Sequence, residues 1–319
     1  MMEGNSDAPA LSVILPTDSY EAIQPVLERL RQQTVARRLE IILIATASAD
    51  LTQAMEGAAD FLAVRVFEIE SLFPLGAARE AGVRAARAPL VFVGETHSFL
   101  FPDAAEKLIA TAASGPWAVV APGFENGNPT NLLSWSSFLA DYGHWSACLP
   151  AGEISAPPIY NALYRREVLL EMAERLAPML SYGDELRLAL RARGHRAYFE
   201  PAARIDHWNI NEPLTVLHER FLAGALIGGE RAQRWPWWRR LGYALGSPLI
   251  SLVLFWRVFP GAWRTSRESG LSLATLPPIL LLLIAKGVGE FVGYSSGRPN
   301  DDYEAAMSHY EIRKRDYLV

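Results

Sequence analysis

The stretch Pro89-Leu90-Val91-Phe92-Val93-Gly94-Glu95-Thr96-His97 decides the reading of this chain. Its apolar half, 89–93, has the length of a strand and ends at a glycine. Glu95 and His97 then follow two residues apart, a spacing that can point both side chains to one side of an extended or turning segment. A carboxylate and an imidazole so placed can hold a hard-to-borderline divalent ion. The plain alternative is a loop with an exposed Glu and an unremarked His.

Outward from this point, apolar runs alternate with helical patterns. Residues 11–15, 39–45, 63–67 and 117–121 are further strand-sized runs, while 21–33, 75–86 and 102–113 carry apolar residues at helical spacing. This alternation predicts parallel βα units under helical cover. In such sheets ligands bind beyond the carboxyl ends of the strands, which is where Glu95 and His97 stand. Residues 122–158 are rich in Gly, Asn, Ser, Pro and Trp and read as loops with one helix near 132–142. Regular pattern resumes with a strand at 160–164, helices at 166–176 and 184–193, and two strands at 196–200 and 203–206.

Composition narrows the class. The 319 residues are half hydrophobic, with a net charge of −5 and a mean hydropathy of +0.08. A chain this apolar can bury a core, and it has no basic excess for nucleic-acid binding. Its one cysteine, Cys148, excludes an intrachain disulfide framework and a multi-cysteine zinc site, and suits a reducing compartment. Residues 1–10 are short and polar, are expected to be disordered, and lack the features of a secretory signal.

The charge is uneven. Residues 231–298 hold nine Arg and Lys against two Glu, so this stretch carries +7 and the remainder −12. Five of the nine tryptophans (Trp235, Trp237, Trp238, Trp256, Trp263) fall in it. It contains two long apolar runs, 241–259 interrupted by Pro248 and Arg257, and 271–294 containing Pro277, Pro278, Lys286 and Glu290. A spanning helix needs about 20 apolar residues. The prolines and charges favour interfacial or re-entrant helices, and the basic-aromatic flanks suit a membrane surface. The competing reading is a soluble helical subdomain with a very apolar core. Residues 298–319 read as a polar tail.

Four other clusters can carry chemistry. Gly183-Asp184-Glu185-Leu186 opens a helix, where acidic residues oppose the macrodipole or, on a cleft rim, serve as a general base. In Asp206-His207-Trp208, the histidine can be a metal ligand, a proton carrier or a satisfied core group. Asn161-Ala162-Leu163-Tyr164-Arg165-Arg166 pairs a polar opening with a double arginine that can position substrate or diphosphate. In Leu75-Gly76-Ala77-Ala78-Arg79-Glu80-Ala81-Gly82, small residues allow close helix–sheet approach and Arg79 can reach a phosphate. That segment lacks the dinucleotide glycine pattern, and the chain has neither a Gly-x-Ser-x-Gly elbow nor a Walker-type loop.

Taken in order, these pieces resemble a family-2 glycosyltransferase of the GT-A fold. Leu11-Ser12-Val13-Ile14-Leu15-Pro16-Thr17 resembles that family's first strand and nucleotide-binding turn, and Glu40-Ile41-Ile42-Leu43-Ile44 its second strand. The segment from Ala77 to Val93 resembles the helix and strand leading to its Asp-x-Asp metal motif, where this chain has Glu95-Thr96-His97. Asn161 to Arg166, Asp184-Glu185, Gly194 to Pro201 and His207 resemble the acceptor-side half. The resemblance implies an α/β GT-A domain over 11–230 with a mostly parallel central sheet, followed by an apolar helical region over 231–297 and a polar tail over 298–319. It implies a nucleotide-sugar over Pro16, Thr17, Thr46, Arg79 and Glu95, and a Mn2+ or Mg2+ ion on Glu95, His97 and His207. Asp184 or Glu185 would be the base of an inverting transfer, and Asn161, Tyr164 and Arg165 would face the acceptor. That acceptor would be a sugar, lipid-linked or cell-envelope polysaccharide at the cytoplasmic face of a bacterial inner membrane. Two rivals stay open: a non-catalytic sugar-nucleotide-binding or scaffold protein, motivated by the altered metal turn, and a nucleotidyltransferase on a related sheet.

Overall fold

The structure is a computed structural model and describes residues 8–182 and 184–319. Most of the expected disordered N-terminus and Gly183 therefore lie outside the described residues. The chain forms two compact units: residues up to Glu125 with Pro150–Asp206, and Asn126–Leu149 with His207–Val319.

The first unit begins β1 (Leu11–Pro16), α1 (Tyr20–Arg31), β2 (Leu39–Ala45), α2 (Thr52–Glu56), β3 (Ala63–Glu68) and α3 (Leu75–Ala85). Next come β4 (Leu90–Val93), β5 (Ser98–Leu100), α4 (Ala104–Ala113) and β6 (Trp117–Asn126). After α5 (Leu132–Tyr142), which belongs to the second unit, it continues with β7 (Gly152–Ile154), β8 (Ala162–Arg165), α6 (Arg166–Leu170), α7 (Leu176–Met179), α8 (Glu185–Ala192) and β9 (Arg196–His207). The cuts between units fall at the last residues of β6 and β9, so His207 is still carried by a strand of the sheet.

Among the described residues the strands form one sheet in the order β3-β2-β1-β4-β8-β6-β9-β5, with β7 paired to β9. β1, β2, β3 and β4 are parallel, as the βα alternation predicts. β8 runs antiparallel to both β4 and β6, so the sheet is mixed beyond β4. Every residue of β1 and β2 is buried, the pattern of parallel strands covered on both faces. α1 turns Ile23, Val26, Leu27 and Leu30 inward, and its first turn is capped by Ser19, which accepts from the Ala22 N–H at 3.2 Å. α3 lies close because Gly82 has no side chain: a Cβ there would stand 2.3 Å from Ile14 Cγ2. Buried Glu40 on β2 would have its carboxyl raised by burial alone. The Ser12 hydroxyl, the Arg87 N–H and the Arg65 guanidinium at 2.7 Å instead hold it below the usual carboxylate range.

Three local expectations are corrected. The helix expected over 166–176 stops early, because Ala173 adopts φ +49° before a tight turn leads into α7. The turn lets Leu176 and Met179 bury against α3. The two strands expected either side of Pro201 are one, β9. Pro201 falls between the β7-paired residues 197–199 and Arg204, whose carbonyl accepts from Phe101 N–H. β5, only three residues long, gave no sequence signal of its own.

The second unit is helical: α5 with α9 (Pro213–Gln233), α10 (Trp237–Glu268), α11 (Leu276–Ser296) and α12 (Asp301–Ile312). α9, placed with the first domain by the sequence reading, packs here against α11. Glycines make that approach possible. A Cβ on Gly224 would stand 2.0 Å from Lys286 O, and one on Gly289 2.0 Å from Phe221 O. α5 is tied to α9 by Arg220, whose two Nη atoms each meet an Asp141 oxygen at 2.5 Å. Burial alone would raise the Asp141 carboxyl, but Arg220 holds it below its ordinary value. α10 runs unbroken through Pro248 and Pro260, both of them on its exposed side. Residues 298–319 are folded, with Met307 and Ile312 buried and Val319 pinned by Asn211, which donates to its carbonyl and accepts from its N–H, each at 2.8 Å.

Candidate active site

β1, β2 and β4 are parallel, so their carboxyl ends share one side of the sheet. Pro16 ends β1, and Thr17 follows it, buried, with its N–H on Ile44 O at 2.9 Å and its hydroxyl donating to Ser19 O at 2.8 Å. Thr46 follows β2, partly exposed, its hydroxyl 2.9 Å from that of Ser48. Beyond β4, the Gly94 N–H keeps the strand's path by donating to Ile14 O at 2.9 Å. Glu95, Thr96 and His97 then make a buried turn into β5; His97 is 0% exposed.

The ladder between β4 and β8 supplies the next group. Val93 pairs with Ala162, and Asn161, one residue earlier, donates its N–H to Val93 O at 2.6 Å. Asn161 has φ +54°, a left-handed conformation that asparagine tolerates better than most residues. That backbone turns its amide onto Glu95, with Nδ2 donating to Oε2 at 2.5 Å. The same carboxylate oxygen is 3.3 Å from His97 Nε2. Asn161 thus orients Glu95 rather than facing outward as the acceptor reading required.

His207 closes the cluster from the end of β9, 1% exposed. Its Nδ1 is 3.0 Å from Asn209 Oδ1. Asn209 Nδ2 donates to Asn126 Oδ1 at 3.2 Å and to His207 O at 3.0 Å, so Oδ1 accepts and Nδ1 carries the proton. Nε2 is then the ring nitrogen with a lone pair. The Asn209 N–H donates to Asn128 Oδ1 at 2.8 Å, and the Tyr142 ring lies 4.1 Å from the imidazole. Glu95, His97 and His207 each offer a ligand atom, all within 4.8 Å of one another. One carboxylate and two imidazoles fit a borderline divalent cation, and an imidazole whose other nitrogen is held by an amide has the second-sphere support such ligands need. Asn126, Asn128 and Asn209 were not singled out in the sequence, although two Asn-x-Asn triplets, 126–128 and 209–211, were there to be read.

Other predicted residues lie elsewhere than expected. Arg79 is buried, stacked 3.7 Å from the Tyr160 ring centre with Nη1 donating to Leu180 O at 2.9 Å. It braces the segment after α7 rather than reaching for a phosphate. Tyr164 lies in a strand paired on both edges, is 1% exposed, and bonds the Pro158 and Ile159 carbonyls at 3.0 and 2.9 Å; burial pushes its phenol well up. Arg165 closes the α4–β6 turn by donating to the Trp117 and Ala112 carbonyls, each at 2.9 Å. Both side chains are taken up by backbone carbonyls. Tyr164→Phe is accordingly expected to cost about 1 kcal/mol of stability and to leave the acceptor KM unchanged, measured by denaturant unfolding beside steady-state assays.

Asp184 caps α8, half exposed, with Oδ1 2.5 Å from Arg187 Nη1. Glu185 is turned toward Arg175 at 3.0 Å. A chain of contacts joins this segment to the buried cluster: Glu95 to Asn161, then Tyr160, whose hydroxyl donates to Ser181 O three residues before Asp184. Asp206, beside His207, pairs with Arg29 at 3.8 Å.

Parallel strands β1–β4 continued by antiparallel strands, with a carboxylate-imidazole turn beyond β4, make an α/β sheet of GT-A type. The sequence profile of glycosyl transferase family 2 matches residues 12–172, half of the chain, and the chain belongs to that family. Among solved structures it is similar to a mannosyltransferase, PcManGT from Pyrobaculum calidifontis, in complex with GDP-Man and Mn2+ (16% identity, TM-score 0.49, 97% of this chain and 88% of that one). It is also similar to S. aureus TarS 1–349 in complex with UDP (17%, 0.48, 94% and 90%). A third is GalNAc-T7 with UDP, GalNAc and Mn2+ (15%, 0.48, 64% and 45%), of which this chain spans less than half the length. Among curated proteins none matches.

Proposed function

We propose that this glycosyltransferase moves a sugar from a nucleoside-diphosphate donor to an acceptor hydroxyl with inversion at the anomeric carbon. The observation that carries the reading is the buried meeting of Glu95, His97 and His207. One carboxylate and two imidazoles at ligand distance from one another are a donor set suited to a divalent cation, which favours an active enzyme over a mere scaffold. A divalent ion held by these three residues would neutralise the charge of the departing diphosphate. Two imidazole donors make Mn2+ a better fit than Mg2+.

The chain's own residues supply the rest. The ends of β1, β2 and β4 form the floor for the donor, with Thr17 and Thr46 nearest the nucleotide. Asn161 fixes the Glu95 carboxylate through its amide. Asp184 takes the acceptor's hydroxyl proton while that oxygen forms a bond to the anomeric carbon, the bond from that carbon to phosphate oxygen breaks, and the nucleoside diphosphate leaves with both electrons. Glu185, held by Arg175, stands beside it as a structural partner.

The acceptor is a lipid-linked or envelope sugar, and the protein works on the cytoplasmic face of a bacterial inner membrane. Support comes from α10 and the segment Leu273–Ser296, both long and apolar enough to cross a bilayer. Only 17% and 39% of their apolar windows is buried, unlike the core helices of a soluble protein.

Thermal unfolding with UDP-, GDP- and dTDP-sugars, each with and without Mn2+, tests the proposal. One nucleotide class is expected to raise Tm only when Mn2+ is present, and the matching sugar to be turned over. Stabilisation without any sugar-dependent turnover would favour the non-catalytic rival.

A further inference from the structure

The second unit has a feature that sugar transfer does not use. α10 exposes Trp237, Leu241, Leu245, Leu249, Leu252 and Trp256, three or four residues apart, as one apolar stripe. α11 exposes Leu281, Ile284, Val288 and Phe291 at the same spacing. The two helices pack together, and a groove of about 460 Å³ lies between the stripes. Ser247, Ser251 and Gly287 make its floor, and Leu252, Ile284, Val288 and Phe291 its walls. The floor is narrow in atoms: a Cβ on Gly287 would stand 2.2 Å from Ser251 Oγ. Of its two hydroxyls, that of Ser247 is spent internally, donating to Tyr243 O at 2.9 Å, and the rest of the lining is apolar. The groove therefore asks for hydrocarbon, not for a polar ligand.

Cations stand at one end. Arg240 lies over Gly297 at the close of α11, near enough that a Cβ there would meet its guanidinium. Arg239 is exposed and stacks on Trp235 at 4.2 Å, and Trp235 in turn stacks on Tyr294 of α11 at 5.6 Å. Exposed Arg298 follows Gly297 directly. From Arg240 to Leu252 is about 18 Å at 1.5 Å per helical residue, close to one leaflet of a hydrocarbon core roughly 30 Å thick. A cationic end, an apolar trough and that spacing match a single anionic lipid.

We propose that the groove between α10 and α11 binds one acyl chain of an anionic phospholipid whose phosphate is held by Arg239, Arg240 and Arg298. The proposal rests on the membrane reading above and sharpens it from a surface to a lipid site. Uncharged exposed stripes on both rims continue the groove into the bilayer, and the cationic end supplies the charge complement.

The full chain in neutral detergent, titrated with phosphatidylglycerol or phosphatidylcholine and read by native mass spectrometry, tests it. Wild type is expected to retain one phosphatidylglycerol and to prefer it over phosphatidylcholine. Val288→Trp, which fills the groove with another apolar side chain, is expected to lower retention tenfold or more, and Ile284→Trp serves as a second filler if the first unfolds. Arg239→Gln with Arg240→Gln is expected to erase the headgroup preference. Equal lipid retention by both folded fillers would overturn the proposal, as would a lipid-free dimer in the wild type. Flotation with phosphatidylglycerol vesicles separates the two claims. Fillers that float but hold no lipid support the groove; a wild type that does not float yet retains its lipid sinks the membrane reading and leaves the groove standing.

Discussion

Glu95→Gln is expected to lower turnover by about 10²–10³-fold, the usual cost of losing one preorganised stabiliser of a developing negative charge, here the cation that Glu95 would hold. The substitution is chosen because glutamine keeps the shape and still offers an oxygen to Asn161 Nδ2, so the fold should survive. What it removes is the anion. Without it, the three-donor set becomes two imidazoles and an amide, a weak binder of a divalent cation. The Tm without metal should stay near that of wild type, while the rise in Tm on adding Mn2+ should largely vanish. Wild-type turnover in this variant would mean that the donor diphosphate is stabilised by other groups. A rise in Tm on Mn2+ that survived the substitution would mean that the ion sits elsewhere.

Asp184→Asn is expected to cost about 10²–10⁴ in kcat, the range for losing a general base, with donor affinity nearly unchanged. Glu185→Gln should stay within severalfold of wild type. The contrast follows from their partners. Glu185 is directed to Arg175, whereas Asp184 lies half exposed at the helix start, three residues from the Ser181 carbonyl that receives the Tyr160 hydroxyl. Asp184 is also bound by Arg187, and in so exposed a setting an ion pair is weak and can exchange partners. Steady-state kinetics with donor and acceptor varied separately distinguish a lost base from a lost binding contact. Reversed effects at the two positions would reassign the base to Glu185.

The parallel half of the fold could be read from the sequence because its information is local. β1, β2 and β4 are apolar runs bounded by turn residues, and the helices between them carry their own periodicity. The buried turn of Glu95 and His97 could be read for the same reason, since it follows one strand directly. The strands β8 and β9 could be read too, but not their antiparallel pairing or β5, because these contacts join segments far apart in sequence that local patterning does not report. Residue type misled at Arg79, Tyr164 and Arg165. Each has the chemistry to touch a ligand, yet each satisfies buried carbonyls, and only the tertiary environment separates these uses. His207 was within reach through its position at a strand end. Its asparagine support was not, because Asn126, Asn128 and Asn209 converge from two segments about eighty residues apart.

The central claim is that Glu95, His97 and His207 together hold the divalent ion on which sugar transfer depends. Calorimetric titration of the wild-type chain and of His207→Ala with Mn2+, in the presence of the nucleotide that stabilises it, tests this most directly. One ion per wild-type chain and at least a tenfold weaker site in the variant is the predicted result. Equal affinity in the two proteins, or no Mn2+ binding by the wild type, would contradict it.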